Sequence, residues 1–420
     1  MMKRIGALAV AASMTCPQAA AAAPPAGACH NPTPARPAIT ELPWAQRTLM
    51  PKTVWPHSQG AGVLVAVVDS GVDADHPQLR APGKVLPGQD FYLVGDLPGN
   101  FDCVSHGTGV AGIIAADPVD GIGFAGLAPQ ARVLPVRVTD RDVTEQGAPS
   151  ALDPVVLARG IWYAADQGAK VINLSVAGSA DNQYVRDAIA YAQSKDALVV
   201  AAAGNTQDGE DPGPATFPAG YDGVLGVGAS DPAGTRMPAS RIGPQVDVVA
   251  PGVGVTTTTR AGGHNYQNGT SFAAAFVSAT AALVRSAWPQ LNAREVATRI
   301  MATASPAPGG EGGAYGAGLV NPYRAVTEGL SPASPAPLPD VVVPPEDPEL
   351  VRAASWWSRT TWHTRLTAGA VLGAAALLLL LALVLRRGRQ GSWRPRRTEP
   401  VSVLPERERV LDEDSLFTRG

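Results

Sequence analysis

The chain has 420 residues, of which 45% are hydrophobic and only 16% are charged, and its formal net charge at pH 7 is -3. This length accommodates one large domain with additional segments, and the composition is sufficient to bury a sizeable core. The slightly negative balance gives no support to a nucleic-acid-binding protein, and the low charged fraction favours an exported or membrane-attached one.

The first 23 residues are predicted to be a secretory signal peptide. They begin with a positively charged Lys-Arg pair, continue with a short apolar stretch and end in an alanine-rich segment, 19–23, that offers small-residue cleavage sites. The apolar stretch is too short to span a bilayer. Cys16 raises the alternative of a lipoprotein, but the three residues before it fit a lipobox poorly.

Residues 24–61, rich in proline and alanine, form a predicted extension, the N-terminal arm. In residues 62–328, which form the main domain, short Val-rich runs alternate with helical segments. This alternation predicts an α/β fold with a mostly parallel central sheet. The predicted strands are 63–68, 133–138, 171–174, 198–202, 224–227 and 246–249, and the predicted helices are 106–116, 153–167, 182–194, 270–286 and 293–302.

Three short motifs carry the strongest functional signal: Asp-Ser-Gly at 69–71, His-Gly-Thr-Gly at 106–109 and Gly-Thr-Ser at 269–271. Asp69 follows directly on a predicted parallel strand, where the catalytic groups of such sheets gather. His106 begins one predicted helix, and Ser271 begins another, where unpaired N–H groups favour an oxyanion. An acid, a base and a nucleophile in this order indicate nucleophilic catalysis, with the acid orienting the histidine.

Each of these residues also has a purely structural interpretation. Asp69 fits a turn, His106 a helix cap and Ser271 a helix N-cap. Asn205, which follows the predicted strand 198–202, has an amide that can donate to an oxyanion beside the Ser271 backbone N–H, but it also fits a left-handed turn. The order of the three motifs, rather than any single one, favours the catalytic interpretation.

The cysteines indicate an oxidising compartment. Cys16 leaves with the predicted signal peptide, so Cys29 and Cys103 remain, and we expect a disulfide between them. The alternative is two free thiols, which are a liability when exposed outside the cell. The bond would join the N-terminal arm to the loop before His106.

The C-terminal part of the chain predicts a membrane anchor. Residues 329–365 form a proline-rich, stiff linker. Residues 366–385 carry no charge, and at about 1.5 Å per residue a helix of this length crosses roughly 30 Å, one hydrocarbon core. Arginines follow, so residues 386–420 are predicted to be a cytoplasmic tail. A buried core helix is the alternative, but the run lies beyond the main domain and its linker.

The motifs lie within longer strings, VAVVDSGVD, SHGTGVAGIIA, VVAAAGN and NGTSFAAAFVSATAALV, that resemble successive signatures of the subtilase family (peptidase S8). The resemblance implies a subtilisin-like three-layer fold, with 62–328 as a serine endopeptidase domain. It implies that Asp69, His106 and Ser271 form the triad and that Asn205 is the oxyanion donor. It also implies that an extended peptide is bound between two segments, Ser175, Val176, Ala177 and Ala202, Ala203, Gly204.

Two positions depart from the family pattern. Ala275 stands where the family usually has proline, and Ala177 stands where it usually has glycine, which narrows part of the cleft. The resemblance implies no metal and no organic cofactor. Asp73, Asp75 and Asp211 offer carboxylates to calcium, but their spacing matches no established loop motif.

The two ends of the chain resemble the mycosins, membrane-anchored subtilases of actinobacterial type VII secretion systems. The arm is too short for the folded inhibitory prodomain of many subtilases. The resemblance implies that the arm wraps the catalytic domain without inhibiting it, and that the protein processes substrates of a type VII system and stabilises its membrane complex. Two alternatives stay open: a structural component with dispensable proteolysis, and a general surface protease.

Overall fold

The computed structural model describes residues 27–330, except 30–31, 94–95, 141–151 and 208, and parts of 367–386. The chain divides into two compact units, Met1–Ala336 and Pro337–Gly420. The predicted signal peptide, the predicted linker from 331 onward and the predicted tail beyond 386 lie outside the described residues.

A seven-stranded sheet forms the centre of the first unit, and every strand pair in it is parallel. The strand order is β2-β3-β1-β4-β5-β6-β7. The sheet therefore confirms the predicted α/β class. Its strands are β1 (Leu64–Asp69), β2 (Gln89–Asp90), β3 (Arg132–Arg137), β4 (Val171–Leu174), β5 (Leu198–Ala202), β6 (Leu225–Ser230) and β7 (Val248–Pro251), and an antiparallel hairpin adds β8 (Val255–Thr258) and β9 (His264–Gln267).

Helices cover both faces of the sheet and give three layers. Along β1, Val65 and Val67 face one apolar core while Ala66 and Val68 face the other, as the alternation of side chains in a strand requires. α4 (Pro154–Asp166) and α5 (Gln183–Ser194) pack on the second of these cores. The remaining helices contribute to the first: α1 (Trp44–Leu49), α2 (Pro51–Val54), α3 (His106–Ala115), α6 (Thr270–Ala287), α7 (Ala293–Ala302) and α8 (Pro322–Thr327).

Two predicted helices start one residue too early, because their first residues are caps. Asp153 lies outside α4 and accepts a hydrogen bond from the Val155 backbone N–H at 2.8 Å. Asn182 caps α5 in the same way, accepting from Tyr184 at 3.0 Å. Such side chains satisfy N–H groups that have no partner within the helix.

The N-terminal arm lies along the hairpin of β8 and β9. Arg36 N–H donates to Gly262 O at 3.1 Å, and His264 N–H donates to Pro37 O at 3.1 Å. A side chain at Gly263 would collide with the carbonyl oxygen of Arg36, so glycine is what allows the arm to approach. The short helices α1 and α2, which the sequence analysis did not predict, continue the arm toward β1.

Among the described residues, one helix is both long and apolar enough to cross a membrane. This helix is α6, which is 89% buried in the first unit, as a core helix is. A shorter apolar helix, Ala370–Arg386, lies in the second unit over most of the predicted anchor, and its described side chains, such as Leu372 and Leu377, are exposed. The membrane span at 366–385 stays a prediction.

Candidate active site

Asp69 and His106 form a buried pair at the carboxyl end of the sheet. Asp69 is the last residue of β1 and His106 the first residue of α3, and His106 Nδ1 lies 2.7 Å from Asp69 Oδ1. The same carboxylate oxygen accepts the Ser70 backbone N–H at 2.7 Å. A carboxylate in this position keeps the imidazole proton on Nδ1, so that Nε2 carries the lone pair that a general base needs.

The local backbone geometry explains the residues of the His-Gly-Thr-Gly motif. Ser105, the residue before α3, has a left-handed conformation with φ 72°, which turns the chain sharply into the helix. A side chain at Gly107 would collide with the carbonyl oxygen of Gly71 and would lie 3.2 Å from Asp69 Oδ1. Glycine at 107 thus allows the first turn of α3 to approach the Asp69 turn.

Ser271 lies in the first turn of α6 and is buried. Its Oγ donates to Ser175 O at 3.1 Å, and Ser175 Oγ donates back to Ser271 O at 3.0 Å. The next residue, Phe272, has its ring 5.2 Å from the His106 ring. The structure therefore brings the Asp69–His106 pair beside the helix turn that carries Ser271. The N-cap of α6 is Gly269, so Ser271 is not a capping residue.

Asn205 is oriented by the residue that precedes Ser271. Its Oδ1 accepts the Thr270 backbone N–H and the Thr270 hydroxyl, both at 2.9 Å. Because a backbone N–H can only donate, Oδ1 must face Thr270 and Nδ2 must point elsewhere as a donor. The left-handed residue of the Gly-Asn pair is Gly204, with φ 104°, so the turn interpretation of Asn205 does not apply.

The two predicted cleft segments lie opposite one another. A side chain at Gly204 would contact the Ala177 Cβ at 3.4 Å. Ala177 is exposed, whereas Val176, Ala202 and Ala203 are buried. The sixth predicted residue, Ser175, is fully buried. Its hydroxyl donates to Ser271 O and accepts from Asn173 Nδ2, so this side chain connects β4 to α6.

A further carboxylate, that of Asp102, lies four residues before His106, is buried and was not among the predicted site residues. It accepts hydrogen bonds from the residues around the Asp69–His106 pair. Burial raises the pKa of Asp102, and the Asp69 charge adds to this, while hydrogen bonds from Thr108 and Val104 act in the opposite direction. An acidic residue this close before the motif histidine is the only sequence signal that could have indicated it.

Two further histidines, His76 and His264, are buried in the structure. His264 Nδ1 accepts the Ile39 N–H of the arm at 3.0 Å, and its Nε2 lies 2.7 Å from Gln78 Oε1. Burial, together with His76, lowers the pKa of His264 to about 4. His264 is therefore neutral at pH 7 and binds the arm, while His76 Nε2 lies 3.1 Å from Gly263 O.

Cys29 and Cys103 are joined by a disulfide, with their Cα atoms 5.3 Å apart. Thr33 in the arm adds two hydrogen bonds to Cys103 O, at 3.0 Å from its N–H and 3.1 Å from its hydroxyl.

Among the carboxylates considered for calcium, Asp73 accepts the Asp75 and Ala261 backbone N–H groups.

Residues 60–318 match the subtilase family, Peptidase_S8. The chain belongs to the subtilase family. It is 37% identical over 379 residues to Mycosin-4 of Mycobacterium tuberculosis, covering 80% of each chain. It is also 36% identical over 294 residues to thermitase of Thermoactinomyces vulgaris, covering 70% of this chain and 99% of thermitase.

Among solved structures, the MycP3 protease from the type VII (ESX-3) secretion system superposes with a TM-score of 0.62 at 34% identity, over 70% of this chain and 91% of that one. These findings confirm the subtilisin-like subtilase fold predicted from the motifs and the likeness to mycosins predicted from the two ends of the chain. The subtilase is a serine endopeptidase that acts on protein substrates.

Proposed function

We propose that this subtilase is a single-pass membrane protease whose catalytic domain lies outside the cell membrane, with a catalytic triad of Asp69, His106 and Ser271. The observation that supports the triad most is the 2.7 Å contact between His106 Nδ1 and Asp69 Oδ1 beside the helix turn that carries Ser271. Burial of all three side chains supports it further, because it excludes the water that would weaken their electrostatic interactions.

In the proposed reaction His106 takes the proton of Ser271 Oγ as this oxygen attacks the peptide carbonyl carbon. Asp69 stabilises the imidazolium that forms. The negative oxygen of the tetrahedral intermediate receives hydrogen bonds from the Asn205 amide and the Ser271 backbone N–H. His106 then gives its proton to the leaving amine, and a water molecule, activated in the same way, hydrolyses the acyl-enzyme.

The test of the triad is hydrolysis of unfolded casein and of a peptide library by the full chain in detergent. Ser271→Ala should abolish cleavage, whereas Ser286→Ala, a serine in the last turn of the same helix, should not. Cleavage that persists in Ser271→Ala would contradict the proposal. Broad cleavage of casein would favour a general surface protease, and cleavage of few sequences would favour a processing role.

We also propose that the protein processes substrates of a type VII secretion system and stabilises its membrane complex. The similar MycP3 protease comes from the type VII (ESX-3) secretion system, and this supports the proposal. The exposed apolar helix Ala370–Arg386 and the arginines after it support anchoring with the tail in the cytoplasm. A tag placed after Gly420 should then be protected from external protease in intact cells, and digestion of the tag would contradict this topology.

The two roles can be separated in cells that lack the gene. If proteolysis and complex stability are distinct, Ser271→Ala restores secretion that the deletion abolishes, while its substrates stay uncleaved. If Ser271→Ala behaves like the deletion, the stabilising role independent of proteolysis is contradicted. The alternative of a structural component with dispensable proteolysis requires that Ser271→Ala match the wild type in secretion and in complex stability, although its peptide cleavage is lost.

A further inference from the structure

The carboxylate of Asp102 collects hydrogen bonds from both sides of His106. Its side chain is buried, and both of its oxygens are used. The donors belong to the residue after β1, to the loop before His106 and to the first turn of α3. They are Ser70 Oγ at 3.0 Å, Val104 N at 3.0 Å, Ser105 N at 3.1 Å, Thr108 N at 2.9 Å and Thr108 Oγ1 at 2.6 Å.

The directions of the two hydroxyl bonds are fixed by their other partners. Ser70 Oγ accepts the Gly107 N–H at 2.9 Å, and Thr108 Oγ1 accepts the Asp73 N–H at 3.0 Å. Since those backbone groups can only donate, both hydroxyls are left to donate their own protons to Asp102. Among the described residues, every hydrogen bond to the Asp102 carboxylate comes from a donor. This arrangement favours the ionised form against the effect of burial and offers no acceptor there for the proton of a neutral acid.

The hydrogen-bond partners of Asp102 include the sequence neighbours of both Asp69 and His106. Ser70, which follows Asp69, donates its N–H to Asp69 and its hydroxyl to Asp102. Ser105 precedes His106 and donates to Asp102 directly, while Gly107 follows His106 and is held through the Ser70 hydroxyl. The backbone on both sides of His106 is thus fixed to one buried negative charge.

Other charged groups surround this arrangement. Arg260 Nε donates to Asp102 O at 2.9 Å, and its guanidinium also reaches Thr33 O of the arm at 2.7 Å. Arg137 Nε donates to Ser70 O at 3.1 Å. The terminal nitrogens of Arg137 also pair with Asp90 and Asp140, so its charge is shared with two further carboxylates. Asp69 raises the pKa of Asp102 through its charge, and Asp73 is linked to Asp102 through the Thr108 hydroxyl.

We propose that Asp102 is a positioning residue of the active site, which holds His106 in register with Asp69 and whose negative charge stabilises the imidazolium formed in each catalytic cycle. The inference rests on the proposed triad. It assigns no contact with substrate to Asp102. The structural alternative is that Asp102 merely caps α3, in which case its charge would have no influence on the protonation of His106.

The test is Asp102→Asn in the full chain in detergent. We expect kcat/KM for a peptide substrate to fall roughly 10²-fold, the effect of misplacing a catalytic group by about 1 Å, with KM nearly unchanged. Loss of the negative charge should also move the acid limb of the kcat/KM profile about one unit to lower pH, because the imidazolium loses stabilisation. A helix cap alone would lower stability without moving that limb.

Two further variants keep the test decisive. Asp247→Asn is the matched control, since burial also raises the pKa of Asp247 but its carboxylate holds the Gly226 N–H, at 2.7 Å, away from the site. It should leave the pH profile unchanged. If Asp102→Asn does not fold, Ser70→Ala removes only the hydroxyl between Asp102 and Gly107, and it should lower kcat about tenfold with KM unchanged. An unchanged kcat in Ser70→Ala would then overturn the proposal.

A second readout does not depend on activity. In the full chain labelled at histidine Cε1, the His106 resonance, assigned by its loss in His106→Gln, should titrate about one pH unit lower in Asp102→Asn than in wild type. An unchanged titration midpoint would overturn the proposal. If the midpoint is lowered in Asp102→Asn but the wild type itself cleaves no peptide, the role of Asp102 toward His106 is upheld and the proposed triad is contradicted.

Discussion

The His106 side and the Ser271 side of the site are held by different kinds of contact. His106 follows a loop bound by polar groups distant in sequence, among them Arg260 and, through Thr33, the N-terminal arm. Ser271 lies in an 18-residue alanine-rich helix within the apolar core. The helix that carries the nucleophile is thus embedded in the core, whereas the loop that leads to the base is held mainly by polar contacts, some of them with the arm. Changes around Cys29 and Thr33 in the arm should therefore affect His106 more than Ser271.

The largest expected effect is the loss of kcat when the carboxylate that binds His106 is removed. Asp69→Asn should lower kcat about 10⁴-fold, because an amide in place of the carboxylate holds the imidazole in the wrong tautomer. Steady-state cleavage of a peptide substrate measures this. Asp153→Asn, which keeps a capping side chain at the start of α4, is the control and should be fully active. A loss of less than tenfold in Asp69→Asn would contradict the role of the pair.

The disulfide connects the arm to the His106 side. Replacing both Cys29 and Cys103 with serine should lower the free energy of unfolding by about 4 kcal/mol, since the bond closes a loop with a sequence separation of 74 residues. Denaturant unfolding of the full chain measures the loss. The variant should also lose kcat/KM, because Cys103 lies in the loop before His106. Unchanged kcat/KM in a destabilised variant would show that the loop is held without the arm.

On the Ser271 side, Asn205→Ala should lower kcat about 10²–10³-fold with little change in KM, the size of effect known for this kind of donor in subtilisin. The reason is loss of a hydrogen bond that strengthens in the transition state. Asn182→Ala removes the cap of α5 and should cost about 1 kcal/mol of stability without changing kcat. If both asparagine variants kept full kcat, Asn205 would have no part in stabilising the oxyanion.

The smallest expected effect concerns the arm alone. In the folded protein His264 stays neutral down to a pKa of about 4, whereas in the unfolded chain it binds a proton near 6.5. The contribution of neutral His264 is complete above pH 6.5 and is lost as the pH falls toward 4. Allowing for solvent screening, about 2 kcal/mol of stability should disappear over this interval.

Thermal unfolding between pH 7 and pH 4 measures this loss. His264→Gln can still accept the Ile39 N–H, and it should flatten the pH dependence over this interval. The exposed His57, replaced by Gln, should leave the dependence as in wild type. An equally steep dependence in His264→Gln would assign the effect to other groups.

The central strands and the helices that carry the site were predictable because their signals are local. Buried parallel strands are continuous apolar runs, so the strands 171–174 and 198–202 matched the structure at both ends. Asp69 and His106 were recognisable because each stands where an element ends or begins. Their mutual contact was expected from the family resemblance.

The features that escaped prediction depend on partners far away in the sequence. Asp102 gains its role from Ser70 and Thr108, and its position four residues before His106 does not by itself indicate burial. His264 lies in a polar strand, and its burial follows from contacts with Ile39 and Gln78. The extended part of the arm and the β8–β9 hairpin carry no regular apolar pattern, because only a few of their side chains, such as Val255, reach the core.

The most direct test of the proposed triad is reaction of the full chain with a fluorophosphonate, followed by mass spectrometry of its peptides. Such probes form a stable adduct with a serine that an adjacent base activates. We predict one adduct, on Ser271, that forms in wild type, slows in Asp69→Asn and is absent in Ser271→Ala. A folded wild-type protein that acquires no adduct, or acquires it on another serine, would contradict the proposed triad.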